Sequence, residues 1–146
     1  MTAKTLLKKC RAEKRELLIL AEKREALATS LLPKAMAIKE ISVQESADSD
    51  PLADRMAAVI DLEQEIDRQM AIMLRHDLDA HRLVGKLRNS RQRQIIELYY
   101  LTFKVDPEGN HHLYTWEMVA EELEISERWL WHQIPDAFRE LKKIEY

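Results

Sequence analysis

The stretch Thr115-Trp116-Glu117-Met118-Val119-Ala120-Glu121-Glu122-Leu123-Glu124-Ile125-Ser126 carries the decisive local pattern of the chain. Thr115 and Ser126 each precede an amphipathic run, and their hydroxyls suit the N-cap position, where a side-chain oxygen accepts an unpaired backbone N–H. Ala120 supplies a small residue midway through the first run, where a second helix can cross closely. Leu123, Ile125 and Leu130 are apolar on either side of the intervening turn at Glu124-Ile125-Ser126. This pattern predicts a helix-turn-helix whose second helix points its opening turns outward.

Working outward, Asn89 or Ser90 caps a preceding helix whose apolar face holds Ile95, Ile96, Leu98, Tyr99 and Leu101. Phe103 to Tyr114 reads as a loop, with Asp106-Pro107-Glu108-Gly109-Asn110 as its turn chemistry. The final helix carries Leu130, Ile134, Ala137, Phe138 and Leu141 inward. Pro135 falls within it, so the helix should kink, or end near Gln133 and restart.

The N-terminal half reads as two long helices. Lys4 to Leu31 lacks Gly and Pro, and Leu7, Cys10, Leu17, Ala21, Ala28 and Leu31 form a stripe interrupted by Lys14 and Arg24. Pro33 should end or kink this helix. Ser42 to Asp50 is polar, a linker extended around Val43-Gln44. Asp50-Pro51 then opens a second helix that runs to about Leu87, its inner stripe marked by Met56, Val59, Leu62, Ile66, Met70, Met73 and Asp77. The expected fold is all-α. A long antiparallel helical hairpin fills residues 1–87, with helices at about 3–32 and 51–87 and a linker at 33–50, and a three-helix helix-turn-helix domain fills residues 88–146.

Composition agrees with this outline. Charged residues make up 34% and aromatics 6%, with two Gly and four Pro, which favours solvated helices over a β fold. No apolar run approaches the length that crosses a bilayer, and the basic start lacks the apolar core of a signal peptide. Cys10 is the single cysteine, so no internal disulfide forms and a reducing, cytoplasmic setting is expected. Residues 1–87 balance 15 basic against 15 acidic groups, whereas residues 88–146 hold 8 against 11. The C-terminal half therefore lacks the basic footprint usual in nucleic-acid binders.

The run Arg91…Ile95-Ile96…Leu98-Tyr99-Tyr100-Leu101, then Thr115 to Ser126, then Arg128-Trp129-Leu130…Ala137-Phe138…Leu141 resembles region four of sigma factors. More closely, the chain resembles small phage and prophage proteins of Gram-positive bacteria, the RinA- and ArpU-type late transcription regulators. Leu27-Ala28-Thr29-Ser30, Val43-Gln44, Asp54-Arg55-Met56-Ala57 and Asp61 to Ile66 extend the likeness into the N-terminal half. The loop at 102–114 is longer than that family's usual turn. The resemblance implies a cytoplasmic regulator in a bacterial host that binds double-stranded promoter or operator DNA. The hairpin would then serve for homo-oligomerisation or contact with RNA polymerase.

By position in such a fold, Arg128, Trp131, His132 and Gln133 face DNA, with Glu127 beside them. Arg91, Arg93 and Arg139 are candidate phosphate contacts. Arg128 suits guanine and Gln133 suits adenine, while Trp131 can stack or meet thymine methyls. Each has a plainer role: Arg91 and Arg93 open an exposed helix, and Glu127 complements a helix N-terminus. Trp129 and Trp131 cannot share a helix face, so Trp131 is expected outside and Trp129 in the core or an interface.

No catalytic residues, cofactor or metal are expected. His111-His112 with His132 lacks further fixed ligands, His76 and His81 do not align on a helix, and no phosphate loop or activated nucleophile occurs. Met56, Met70 and Met73 are read as core. The competing view is a protein-binding assembly factor that uses the hairpin and the sigma-like module without DNA.

Overall fold

The computed structural model describes the backbone of residues 2–41 and 51–144, and the side chains of 2–30 and 51–144. Within those residues the chain is mostly helical. Its helices are α1 (Ala3–Ile41), α2 (Pro51–Val84), α3 (Ser90–Ile96), α4 (Trp116–Glu122) and α5 (Glu127–Lys143). A π-helical turn, Glu97–Leu101, extends α3, and two short strands, β1 (Phe103–Val105) and β2 (His111–Leu113), precede α4.

Three of these features depart from the sequence expectation. First, α1 continues past Pro33 to Ile41, where a linker was expected from residue 33. Lys34-Ala35-Met36-Ala37 are good helix formers and carry the helix beyond the proline. Second, the segment read as a loop pairs as an antiparallel hairpin, with Phe103 opposite Leu113, Lys104 opposite His112 and Val105 opposite His111. The fold is thus not purely α. Third, α5 runs on through Pro135 and does not end near Gln133 and restart, which overturns that one of the two expected outcomes. Buried Leu130, Ala137 and Leu141 on both sides of the proline hold it in place. The expected caps and extended linker at Ser42 to Asp50 lie outside the described residues.

The chain divides into two compact units, residues 1–16 with 71–146, and residues 17–70. The division therefore cuts through both long helices. In the first unit, Leu6, Leu7 and Cys10 of α1 pack with Ala80, Leu83 and Val84 of α2. Ile96, Tyr100, Leu101, Ala137 and Leu141 complete that core. A second core beside it gathers Ile95, Tyr114, Val119, Ala120 and Leu130. Burying each of the larger side chains contributes about 1.5–3 kcal/mol.

Several polar residues inside the first unit have partners. The ammonium of Lys14, 1% exposed, closes on the Asp77 carboxylate. Glu13 pairs with His76 at 2.6 Å, while its second carboxylate oxygen is buried and has no hydrogen-bond partner among the described residues. Arg11 donates to the Tyr99 carbonyl at 2.6 Å, one of the carbonyls a helix end leaves over. Thr102 does the same for the Glu97 carbonyl at 2.9 Å. Burial lowers the Arg11 guanidinium from its ordinary value and raises the Tyr100 phenol to about 12.

In the second unit, Arg24 pairs with Glu63 at 3.0 Å. Lys23, Ala26 and Leu27 face Ala58, Asp61, Leu62, Glu65 and Arg68 across a shallow cleft of about 660 Å3. Met56 and Met70, expected in the inner stripe of α2, are exposed, as is Ile60. Met73, in the first unit, is buried as expected.

Candidate functional site

The site is built by three capped helices. Asn89 Oδ1 accepts from the backbone N–H of Arg91 at 3.0 Å and of Gln92 at 3.2 Å. Thr115 Oγ1 accepts from Met118 at 3.2 Å, and Ser126 Oγ from Trp129 at 3.1 Å. Between α4 and α5 the chain reverses at Glu124, whose φ of 56° lies in the left-handed region. The Ile125 N–H reaches back to the Ala120 carbonyl at 3.0 Å, which closes this turn. Ala120 is 3% exposed and packs with Val119, Leu130 and Ile95, as a small residue at a crossing should.

Tyr114 enters the same core from the end of the β-hairpin. Burial, then the neighbouring Glu122 carboxylate, pushes its phenol up to about 12, so it stays neutral. The hairpin tip is fixed by Asp106, whose Oδ1 accepts from the N–H groups of Glu108 and Asn110 at 3.0 and 2.8 Å. Its other oxygen meets His112 Nε2 at 2.7 Å. His112 is therefore engaged at the hairpin, and among the described residues no cluster of three metal-ligating side chains occurs.

The candidate DNA-facing residues separate into groups. Arg128 and His132, one helical turn apart on α5, are both exposed and have no hydrogen-bond or ion-pair partner among the described residues. Gln133 is half-buried and accepts from Gln92 Nε2 at 3.3 Å, which ties it to α3. Arg91 donates to the Leu123 carbonyl at 3.3 Å, bridging α3 to the turn after α4. Arg93 donates to the Leu87 carbonyl at 2.8 Å, closing the end of the segment before α3. Arg139 is exposed and paired with Asp136 at 2.6 Å. The structure thus brings Arg128 and His132 together on one stripe and gives Gln133, Arg91 and Arg93 contacts inside the protein.

Both tryptophans of α5 are exposed, Trp129 by 38% and Trp131 by 54%. Of the two places expected for Trp129, core or interface, its exposure overturns the core. Leu130 takes the inward position, and each neighbour in sequence lies about 100° from it around the helix, so both flank the buried face.

A feature not foreseen from the sequence lies beside Trp131. Thr115, Trp116 and Glu117 from the start of α4, with Glu127 and Trp131 from the start of α5, line a cleft of about 340 Å3. The Trp116 and Trp131 ring centroids are 6.0 Å apart at 58°. Trp116 also stacks on Tyr99, 3.6 Å away and within 2° of parallel, and the Arg11 guanidinium lies 3.8 Å from the Tyr99 ring centre. The available sequence signal was a Trp and a Glu in the opening turns of each helix. Across residues 115–133, five glutamates face one arginine.

The chain matches no family model, no curated protein and no solved structure.

Proposed function

We propose that this chain is a DNA-binding transcription regulator of the phage and prophage type its sequence resembles. In this reading α3, α4 and α5 act as a helix-turn-helix domain, and the opening turns of α5 enter the major groove of promoter or operator DNA. The observation that carries it is the exposed pair Arg128 and His132, without partners among the described residues, on the Ser126-capped start of α5. Arg128 offers a bidentate donor to guanine, and His132 reads the adjacent base edge. The long helices α1 and α2 form an antiparallel hairpin that joins copies of the chain or contacts RNA polymerase. Exposed Leu74 and Leu78 on α2 supply apolar surface for such a contact.

Band-shift titration against promoter fragments at low and moderate salt tests this. Arg128→Ala and His132→Ala should each weaken specific binding about tenfold and relax sequence preference, the loss of a base contact. No binding at low salt, or unchanged preference in both variants, sinks the proposal.

A second reading is favoured by the excess of glutamate over arginine across residues 115–133, which repels phosphate. Here the chain binds a protein through the same module and its long hairpin, and no DNA is read. Recovery of polymerase from host lysate treated with nuclease, together with flat band-shift curves, supports that reading over the first.

A further inference from the structure

We infer that the cleft between the first turns of α4 and α5 seats a single cationic side chain, arginine or lysine, presented by a partner protein. The inference goes beyond DNA reading and does not depend on it, because Arg128 and His132 lie on a different stripe of α5 from Glu127 and Trp131.

The lining suits a cation. Trp116 and Trp131 touch, with ring centroids 6.0 Å apart and a tilt of 58°, and so form one continuous aromatic wall against which a cation can rest. A guanidinium or ammonium over the face of a Trp ring, within about 6 Å of its centroid, is attracted by the ring quadrupole. Glu117 and Glu127 line the same cleft and have no ion-pair partner among the described residues. Each complements the start of its own helix, and both residues are exposed.

Charge complementarity selects the occupant. A phosphate is repelled by the two carboxylates. A purely apolar side chain would strip water from them and return nothing. A cation satisfies the rings and the carboxylates together.

The pocket is also prepared in advance. Tyr99 occupies one face of the Trp116 ring at 3.6 Å, and Arg11 lies over Tyr99 at 3.8 Å, so Trp116 is held before any partner arrives. A preset ring loses less freedom on binding. The protein uses the same chemistry internally, with Lys4 placed 5.5 Å from the Phe138 ring centre.

The test is an NMR titration of the full chain, following the indole N–H signals of Trp116, Trp129 and Trp131. The probe is a capped Gly-Ser-Arg-Ser-Gly peptide, run beside its lysine and citrulline counterparts. Citrulline keeps the shape of arginine and removes its charge. The inference expects saturable shifts of Trp116 and Trp131 with arginine or lysine, a still Trp129, and no response to citrulline. Joint Glu117→Gln and Glu127→Gln substitution should weaken binding about tenfold, since two exposed charge contacts are removed. Both positions are at the surface, so this variant keeps its fold, and retained dispersion of the other amide signals verifies that.

Equal responses to arginine and citrulline, movement of all three indoles alike, or no shift at all overturns the inference. So does a DNA duplex that moves Trp116 and Trp131 where the peptide does not. Shifts that appear on concentrating the chain alone, without peptide, identify a second copy as the occupant and likewise overturn it.

Discussion

Among the described residues Lys14 is the largest fully enclosed side chain, and its ammonium meets both carboxylate oxygens of Asp77, a residue 63 positions away. A charge removed from water needs such a partner, and the pair fixes how α1 and α2 align at this level. An ion pair of this kind confers little net stability over a well-packed apolar pair, but breaking it strands a buried charge.

Asp77→Ala should therefore destabilise the protein by about 3–5 kcal/mol, whereas replacing both residues, Lys14→Met with Asp77→Leu, should cost far less. Chemical denaturation of the single and double variants decides this. A single variant as stable as the parent protein contradicts the buried-charge argument.

Several local features were legible because their chemistry spans only a few residues. Asn89, Thr115 and Ser126 cap the helixes they precede, each through its own side-chain oxygen. The turn at Asp106 to Asn110 was equally plain. Lys14 and Asp77 were visible only as charged interruptions of two apolar stripes, since nothing local says that one answers the other. The strands β1 and β2 hold three residues each, too few for alternation to declare itself. The cleft at Trp116 and Trp131 was out of reach for the same reason as the ion pair. It needs two helix starts brought together by the crossing at Ala120.

Glu124 holds a left-handed backbone at the turn into α5, where a side chain is crowded and glycine is not. Glu124→Gly should raise stability by up to about 1 kcal/mol, and Glu124→Val should lower it by at least as much. Thermal melts of both variants give the comparison, and a stabilising valine would refute it.

Arg93 spends its guanidinium on the Leu87 carbonyl, so its removal is expected to act on folding. Arg93→Ala should cost about 1 kcal/mol of stability. Denaturant unfolding measures the loss. An unchanged midpoint shows that this contact contributes nothing and returns Arg93 to the list of free cations.

The hairpin tip should respond to acid. The hydrogen bond from His112, then the Asn110 backbone, holds the Asp106 carboxyl below its ordinary 3.8. A depressed acid stabilises the folded form above its unfolded value and loses that contribution as pH falls through the folded one. The order of the 103–113 hairpin should thus be constant at neutral pH and decline below about pH 4. Amide signals of Gly109 and Asn110 report it, and Asp106→Asn should abolish the acid step. Persistence of the step in that variant assigns it elsewhere.

Pro135 interrupts the bonding of α5, since it has no N–H to offer the Trp131 carbonyl four residues earlier. Pro135→Ala should stabilise the helix by about 1–3 kcal/mol. Calorimetry should record a higher melting temperature; a lower one means the ring contributes packing that outweighs the missing bond.

Cys10 has no exposed surface, and burial followed by the nearby Asp77 charge raises its thiol to about 12. Only the thiolate attacks electrophiles, so a maleimide added to the native protein finds nothing to alkylate. Because the chain holds a single sulfhydryl, each label incorporated marks one molecule in which the first turns of α1 have come away. The rate of labelling is then a built-in clock for that opening.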